Sequence, residues 1–507
     1  MISNRRWKFT FPTFIVLAFG IVVSVWAQGF PGGHQEALGP RFKAAIQINE
    51  ALSIEPHSGL DSLHRWNQIA INASGIDHTP VRPGEKRVFG EQLGPGRASR
   101  AMAIVHIAIF DAVNAILGGY RSYTGIAPAP AGSSTDAAIA QAAHDTLVAL
   151  YPSQKKSFDK LLADDLKQIP RGTARTHGIA VGQAAAGAIL ALRVADGSQY
   201  SEPRVGIEFI TSNAPGKWRQ DPVSLIPIAL GAYWGKVKPF VMKSPEQFRV
   251  PSPPGLESQQ YTIAFNEAKA IGGDGIVTPT VRTAEQTEIG IFWAYDGTPS
   301  LCAPPRLYNQ IAVRIADQMG TSGIELARLL ALVNTALADA GIAVWESKYN
   351  YQFWRPVTGI RESDPGTGPT GAGDGNPHTV GDPAFSPLGA PASNLNGPNF
   401  TPPFPAYPSG HAGFGGALFE ILRKFYKTDN IAFTFMSDEF NGVTRDNDGN
   451  IRPVISRSFS SLSQAEEENG QSRIYLGIHW AFDKTKGIAQ GRNVADFVLK
   501  NVFVPLH

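Results

Sequence analysis

Apolar residues recur at three- and four-residue spacing along much of the chain, the pattern of helices that turn one face to a core. The clearest segments are "ASRAMAIVHIAIFDAVNAIL" (98–117), "TDAAIAQAAHDTLVALY" (135–151), "ARTHGIAVGQAAAGAILALRVAD" (174–196), "RLYNQIAVRIADQMG" (306–320) and "GIELARLLALVNTALADAGIAVWESKYNYQFW" (323–354). Several are alanine-rich and apolar on more than one face, which places them inside bundles. No stretch alternates cleanly enough to demand a sheet. The expected fold class is therefore all-α: two helical bundles of the four-helix type, one per half, with long irregular loops.

Three tracts interrupt the helical pattern. The first, 216–258, contains the breaker "SPPGLES" and divides an N-terminal helical half, 28–258, from a C-terminal half, 259–507. The second, 363–407, is too rich in Gly, Pro, Asn and Thr to be helical; loops of that length inside a compact domain usually carry function. The third, 436–469, reads as a further loop around "RDNDGN". There Asp446, Asp448 and Asn450 resemble a calcium loop without its closing glutamate, so a polar turn is expected.

Composition narrows the picture. A chain of 507 residues with 43% hydrophobic content buries a large core. Its 45 basic and 43 acidic residues leave a net charge of +2, and no basic run extends beyond short pairs, so nucleic acid is not an expected partner. Arg5, Arg6 and Lys8 precede an apolar stretch over 14–27 that ends in Val25-Trp26-Ala27. This reads as a signal peptide, 1–27, cleaved after Ala27, giving a secreted or periplasmic protein with no membrane span after cleavage. Cys302 is the sole cysteine and reads as a buried apolar thiol, leaving no disulfide within the subunit.

Candidate chemistry collects in the C-terminal half, in three short constellations. Lys348 and Arg355 stand seven apart, nearly two helical turns, so on one helix both cations point the same way; Pro356 then stops that helix. In "PPFPAYPSGHAGFGG" (402–416), Ser409 is a ready N-cap, and Gly410 and His411 follow at the helix N-terminus, where free N–H groups favour an anion. In "SRIYLGIHWAFD" (472–483), Arg473 precedes His479 and Asp483; four residues apart on a helix, the carboxylate reaches one imidazole nitrogen and leaves the other as ligand or nucleophile. Together they supply three cations, a hydroxyl, a backbone N–H and two imidazoles, a complete site for a tetrahedral oxyanion. A cation about 4 Å from a unit negative charge contributes roughly 4 kcal/mol at an effective dielectric near 20, before desolvation is subtracted.

Lys348…Arg355-Pro356, Pro408-Ser409-Gly410-His411 and Ser472-Arg473…His479…Asp483 resemble the signature shared by vanadium-dependent haloperoxidases and type 2 phosphatidic acid phosphatases. The surrounding "WESKYNYQFWRP", "FWAYDGTPSLCAPPRLYNQIA" and "LGIHWAFD" are similar to the secreted fungal-type vanadium chloroperoxidases. The resemblance implies an enzyme that uses a vanadate cofactor and hydrogen peroxide to oxidise chloride or bromide to hypohalous acid, which acts on small organic acceptors. It implies vanadate bound through His479, the metal ligand, with Lys348, Arg355, Ser409, Gly410 and Arg473 on its oxygens. His411 would be the acid-base residue, Asp296 a carboxylate on Arg473, and Phe404 and Trp345 flanks of the halide site. The same site holding phosphate would make an acid phosphatase acting through a phosphohistidine, and that alternative stays open at this point.

Overall fold

The computed structural model describes residues 33–42 and 59–506; the expected signal segment, 1–27, lies outside the described residues. The N-terminal half holds α1 (Gly33–Leu38), α2 (Ser62–Asp77), α3 (Gly94–Leu117), α4 (Thr135–Leu150), α5 (Lys155–Gln168) and α6 (Thr173–Arg193). The C-terminal half holds α7 (Gln259–Ile271), α8 (Ala284–Phe292), α9 (Pro305–Gln318), α10 (Gly323–Tyr351), α11 (Pro356–Arg361) and α12 (Gly410–Tyr426), then β1 (Phe433–Asn441), β2 (Val454–Phe459), α13 (Leu462–Tyr475) and α14 (Ala481–Asn501). The fold is helical, as the periodicity predicts.

Local chemistry sets many of the helix ends. Asp61, Ser134, Ser258 and Thr283 cap α2, α4, α7 and α8 by accepting first-turn N–H groups, each of which would otherwise be an orphan donor. The apolar helices α3 and α10 are long enough to cross a bilayer by length and composition, yet both are largely buried within the protein. They pack against each other, and a single hydrophobic core runs through α2, α3, α4, α10, α12 and α14 without a break between the halves. Asp339 of α10 reinforces the join by accepting the backbone N–H groups of Phe240, Val241 and Met242 at 2.6, 2.8 and 2.8 Å.

The contact of α12 with α14 depends on glycine. A Cβ on Gly491 would overlap the Gly413 carbonyl, and one on Gly416 would lie 2.5 Å from the Ile488 oxygen. Only bare backbone lets the two helices come this close, and their approach brings the start of α12 beside the start of α14.

Three expectations are corrected. The tract 436–469 is not all loop: it contains most of an antiparallel β-hairpin, β1 paired with β2, and the first half of α13. Within it "RDNDGN" forms a turn in which Asp446 accepts from the backbone N–H groups of Asp448 and Asn450. The helix carrying Lys348 ends at Tyr351, because Gln352 adopts a left-handed conformation at φ +51°, so Arg355 does not share its face. His479 likewise precedes α14, whose N-cap is Trp480, so it is not on one helix with Asp483.

Candidate active site

Lys348 lies in the last turn of α10, fully buried, and its Nζ donates to the carbonyls of Pro405 and Ala406 at 2.8 and 2.9 Å. An ammonium has three donors, so one remains. Arg355 caps α11 and reaches the same place by a different route. Its Nε donates to Phe404 O at 2.9 Å and its Nη1 to Ile478 O at 2.8 Å, while Nη2 is buried without a hydrogen-bond partner. Arg473, in the last turn of α13, gives Nη2 to both oxygens of Asp296 at 2.7 and 2.8 Å and keeps Nε and Nη1 buried and unpartnered.

These donors surround His479. Its Nδ1 is 2.8 Å from Asp483 Oδ2, which also accepts from Trp480 N at 3.0 Å. Arg355 Nη1 donates to His479 Nε2 at 2.9 Å. The ring is therefore protonated on Nδ1 and directs the Nε2 lone pair toward the guanidinium. Asp483 fixes that tautomer because the chain bends at Trp480, where the carboxylate at the third helical position folds back on the residues before the cap.

Ser409 caps α12, its Oγ accepting from Ala412 N and its own N–H donating to Asp483 O at 3.0 Å. Gly410 opens the helix against Trp345; a Cβ there would lie 3.3 Å from the indole. His411 is buried. Its Nε2 donates to Ala294 O at 2.6 Å, which leaves Nδ1 as the acceptor nitrogen, and its backbone carbonyl is held by Tyr308 Oη and Asn469 Nδ2.

Phe404 and Trp345 meet at 4.9 Å between ring centres. Lys348 Nζ lies 5.1 Å and Arg355 Cζ 5.0 Å from the Phe404 ring centre, so both cations pack against the same aromatic ring. An open cavity leads to this group; Leu38, Leu93, Ile226, Ile228 and Phe400 line it, with Gly410, His411, Arg473 and His479 also on its wall. The wall thus comes from both halves of the chain.

Every resolved pKa shift in the cluster runs toward the neutral form. Burial, then Arg355, pushes the Lys348 ammonium well down, and burial lowers Arg355 to about 9. Burial followed by neighbouring cations pushes His411 and His479 well below the ordinary imidazole range. Burial raises Asp483 to about 7 and also raises Asp296, against the pull of Arg473. Concentrated positive charge with unfilled donors is what a bound anion relieves.

The structure brings all eleven sequence-predicted residues into this neighbourhood. Sequence reasoning missed the backbone carbonyls of Ala294 and of Leu230, the latter accepting from Trp345 Nε1 and Tyr349 Oη. It also missed Tyr308 and Asn469; no local motif marks any of these four.

Fold and site together define a helical-bundle protein built around a buried oxyanion cradle. A family model described as the vanadium chloroperoxidase (VCPO) second helical-bundle domain matches residues 328–505. The vanadium chloroperoxidase of Curvularia inaequalis is 33% identical over 503 residues, spanning 82% of this chain and 78% of that protein. The chain belongs to the vanadium-dependent haloperoxidase family. Two solved bacterial structures share the fold: a vanadium-dependent iodoperoxidase, with a TM-score of 0.68 at 23% identity over 89% of this chain and 98% of its own, and an apo vanadium-dependent chloroperoxidase, with 0.57 at 16% over 80% and 94%.

Proposed function

We propose that this protein is a vanadate-dependent haloperoxidase that oxidises chloride and bromide with hydrogen peroxide, yielding hypohalous acid. The observation that carries the reading is the set of buried, unpartnered N–H groups on Arg355 and Arg473 beside His479, whose Nδ1–H tautomer turns the Nε2 lone pair, which accepts from Arg355 Nη1, toward those donors. That donor set fits a tetrahedral oxyanion. His479 Nε2 would hold vanadate, with Lys348, Arg355, Arg473, the Ser409 hydroxyl and Gly410 N–H on its oxygens. Bound vanadate supplies a Lewis acid that works without changing oxidation state, so the two electrons pass from halide to peroxide and no further reductant is needed.

The chain's own groups do the rest. His411 Nδ1 takes a proton from incoming peroxide, since Nε2 is committed to Ala294 O. Asp296 holds the Arg473 guanidinium, Asp483 the His479 ring. Phe404 and Trp345 exclude water beside Lys348, which strengthens its field on a bound anion. The halide assignment is supported by that cationic, aromatic wall. Arg5, Arg6, Lys8 and the apolar run to Ala27 support export, with a mature chain beginning at Gln28, which N-terminal sequencing of the secreted protein reads directly.

The test is reconstitution. Metal-free protein is expected to lack peroxide-dependent halogenation of monochlorodimedone, orthovanadate to restore it, and phosphate to compete. Equal activity without vanadate refutes the cofactor; hydrolysis of nitrophenyl phosphate in place of halogenation assigns the site to phosphoryl transfer.

A further inference from the structure

Asp296 and Ala294 reach the site from the loop after α8, and between them lies Tyr295 at φ +48°, a left-handed conformation uncommon for a bulky residue. That turn lets neighbouring residues make two different contacts. The Ala294 carbonyl accepts from His411 Nε2, and the Asp296 carboxylate grips Arg473. A conformation of this kind persists only where the surroundings over-determine it.

The surroundings here are β1. Tyr295 N donates to Glu439 Oε1 at 3.1 Å, Asp438 N donates to Tyr295 Oη at 2.6 Å, and Ser437 Oγ donates to Phe292 O at 2.6 Å. Three consecutive residues of one strand therefore hold the loop at its start, at the peptide of Tyr295 and at the tip of its ring. Glu439 is fully buried, and its other oxygen accepts from Ser393 Oγ at 2.6 Å and from Arg452 Nη1. It touches none of the groups that would meet an anion.

We propose that Glu439 is a positioning residue for the oxyanion cradle: by fixing the Tyr295 peptide it sets the Asp296–Arg473 pair and the His411 ring. The inference rests on the oxyanion reading of the site. The acceptor oxygen of Glu439 is what matters for the cradle, and its charge serves to keep Arg452 satisfied in the interior.

Two variants separate these roles. Glu439→Gln keeps an acceptor for Tyr295 N; the double substitution Glu439→Leu with Arg452→Leu removes it without stranding a buried charge. Binding of orthovanadate and, separately, of inorganic phosphate to the metal-free full-length protein is measured by calorimetry, beside thermal melting. Glu439→Gln is expected to bind both within about threefold of wild type, while the double variant melts cooperatively yet binds both at least about tenfold more weakly, about 1.4 kcal/mol. An unchanged affinity in the double variant overturns the proposal, as does an equal loss in Glu439→Gln. If the double variant does not fold, Tyr295→Phe, which removes the ties of the ring hydroxyl to Asp438 N and Gln310 Oε1, is expected to weaken binding about threefold by the same positioning effect; no change there also overturns it. Wild-type protein that binds phosphate but not vanadate overturns the vanadate reading alone, because the phosphate affinities still decide the role of Glu439; wild type that binds neither overturns both.

Discussion

Asp483 offers the sharpest test of how the cradle is prepared. Its Oδ2 accepts from His479 Nδ1 and Trp480 N, while its Oδ1 is buried with no partner. Asparagine can place its oxygen where Oδ2 sits and its amino group at the empty position, so Asp483→Asn loses charge but not geometry. A charge-assisted hydrogen bond contributes about 1.5–3 kcal/mol and a neutral one about 0.5–1.5, so the loss is near 1 kcal/mol, about fivefold in vanadate affinity. Asp483→Ala strands two buried donors and frees the imidazole, and is expected to weaken vanadate binding about 10- to 100-fold. The pH dependence carries the sign. Burial holds the Asp483 carboxyl neutral below about pH 7, where asparagine mimics it, and above that the wild type gains a charge that asparagine lacks. The ratio of Asp483→Asn to wild-type dissociation constants, in which the titration of vanadate itself cancels, therefore opens as pH rises through about 7. Calorimetric titration of metal-free protein from about pH 5.5 to 8.5 brackets that value. A flat ratio, or wild-type affinity in Asp483→Ala, refutes the reasoning.

Three further outcomes are expected. His479→Ala should lose bound vanadium on desalting, whereas His411→Ala should retain it and lose about 100-fold or more in turnover; metal content measured beside activity reads both, and the opposite pattern means their roles are exchanged. Phe404→His should lose chloride turnover while keeping bromide turnover in steady-state monochlorodimedone assays, since it removes the apolar ring against which Lys348 and Arg355 pack. Phosphate at about 100 times its dissociation constant stabilises by about 2.7 kcal/mol, and an unfolding entropy near 1 kcal/mol/K for a chain of this length converts that to a melting shift of about 2.5 °C; no shift by differential scanning fluorimetry excludes an oxyanion site.

The helices and the three constellations were legible because both are local patterns. Their geometry was legible only in part. The Lys348 to Arg355 spacing gives the right neighbours for the wrong reason, since a left-handed Gln352 ends the helix and Arg355 returns as the cap of the next one. The β1 strand escaped notice because the four alternate buried positions on its inner face are Phe433, Phe435, Ser437 and Glu439. Two of the four are polar, so hydrophobic alternation stops halfway along the strand, at the residues that hold the loop of Tyr295. Carbonyl partners such as Ala294 O and Leu230 O leave no mark in side-chain identity at all.

The matched segment 328–505 contains every cation and both histidines of the cradle, yet its geometry is borrowed from outside it. Leu230 O steadies Trp345 and Tyr349, Ala294 O and Asp296 orient His411 and Arg473, and Asp339 is satisfied by the N–H groups of 240–242. Cut at residue 328, the matched segment would keep its reagents and lose the scaffold that aims them, along with the partner for the apolar face of α10. Recombination between relatives is then tolerated only where both sides of that seam travel together, so the smallest heritable piece of this activity spans both bundles, and a library of chimeras joined between them should be depleted of active members.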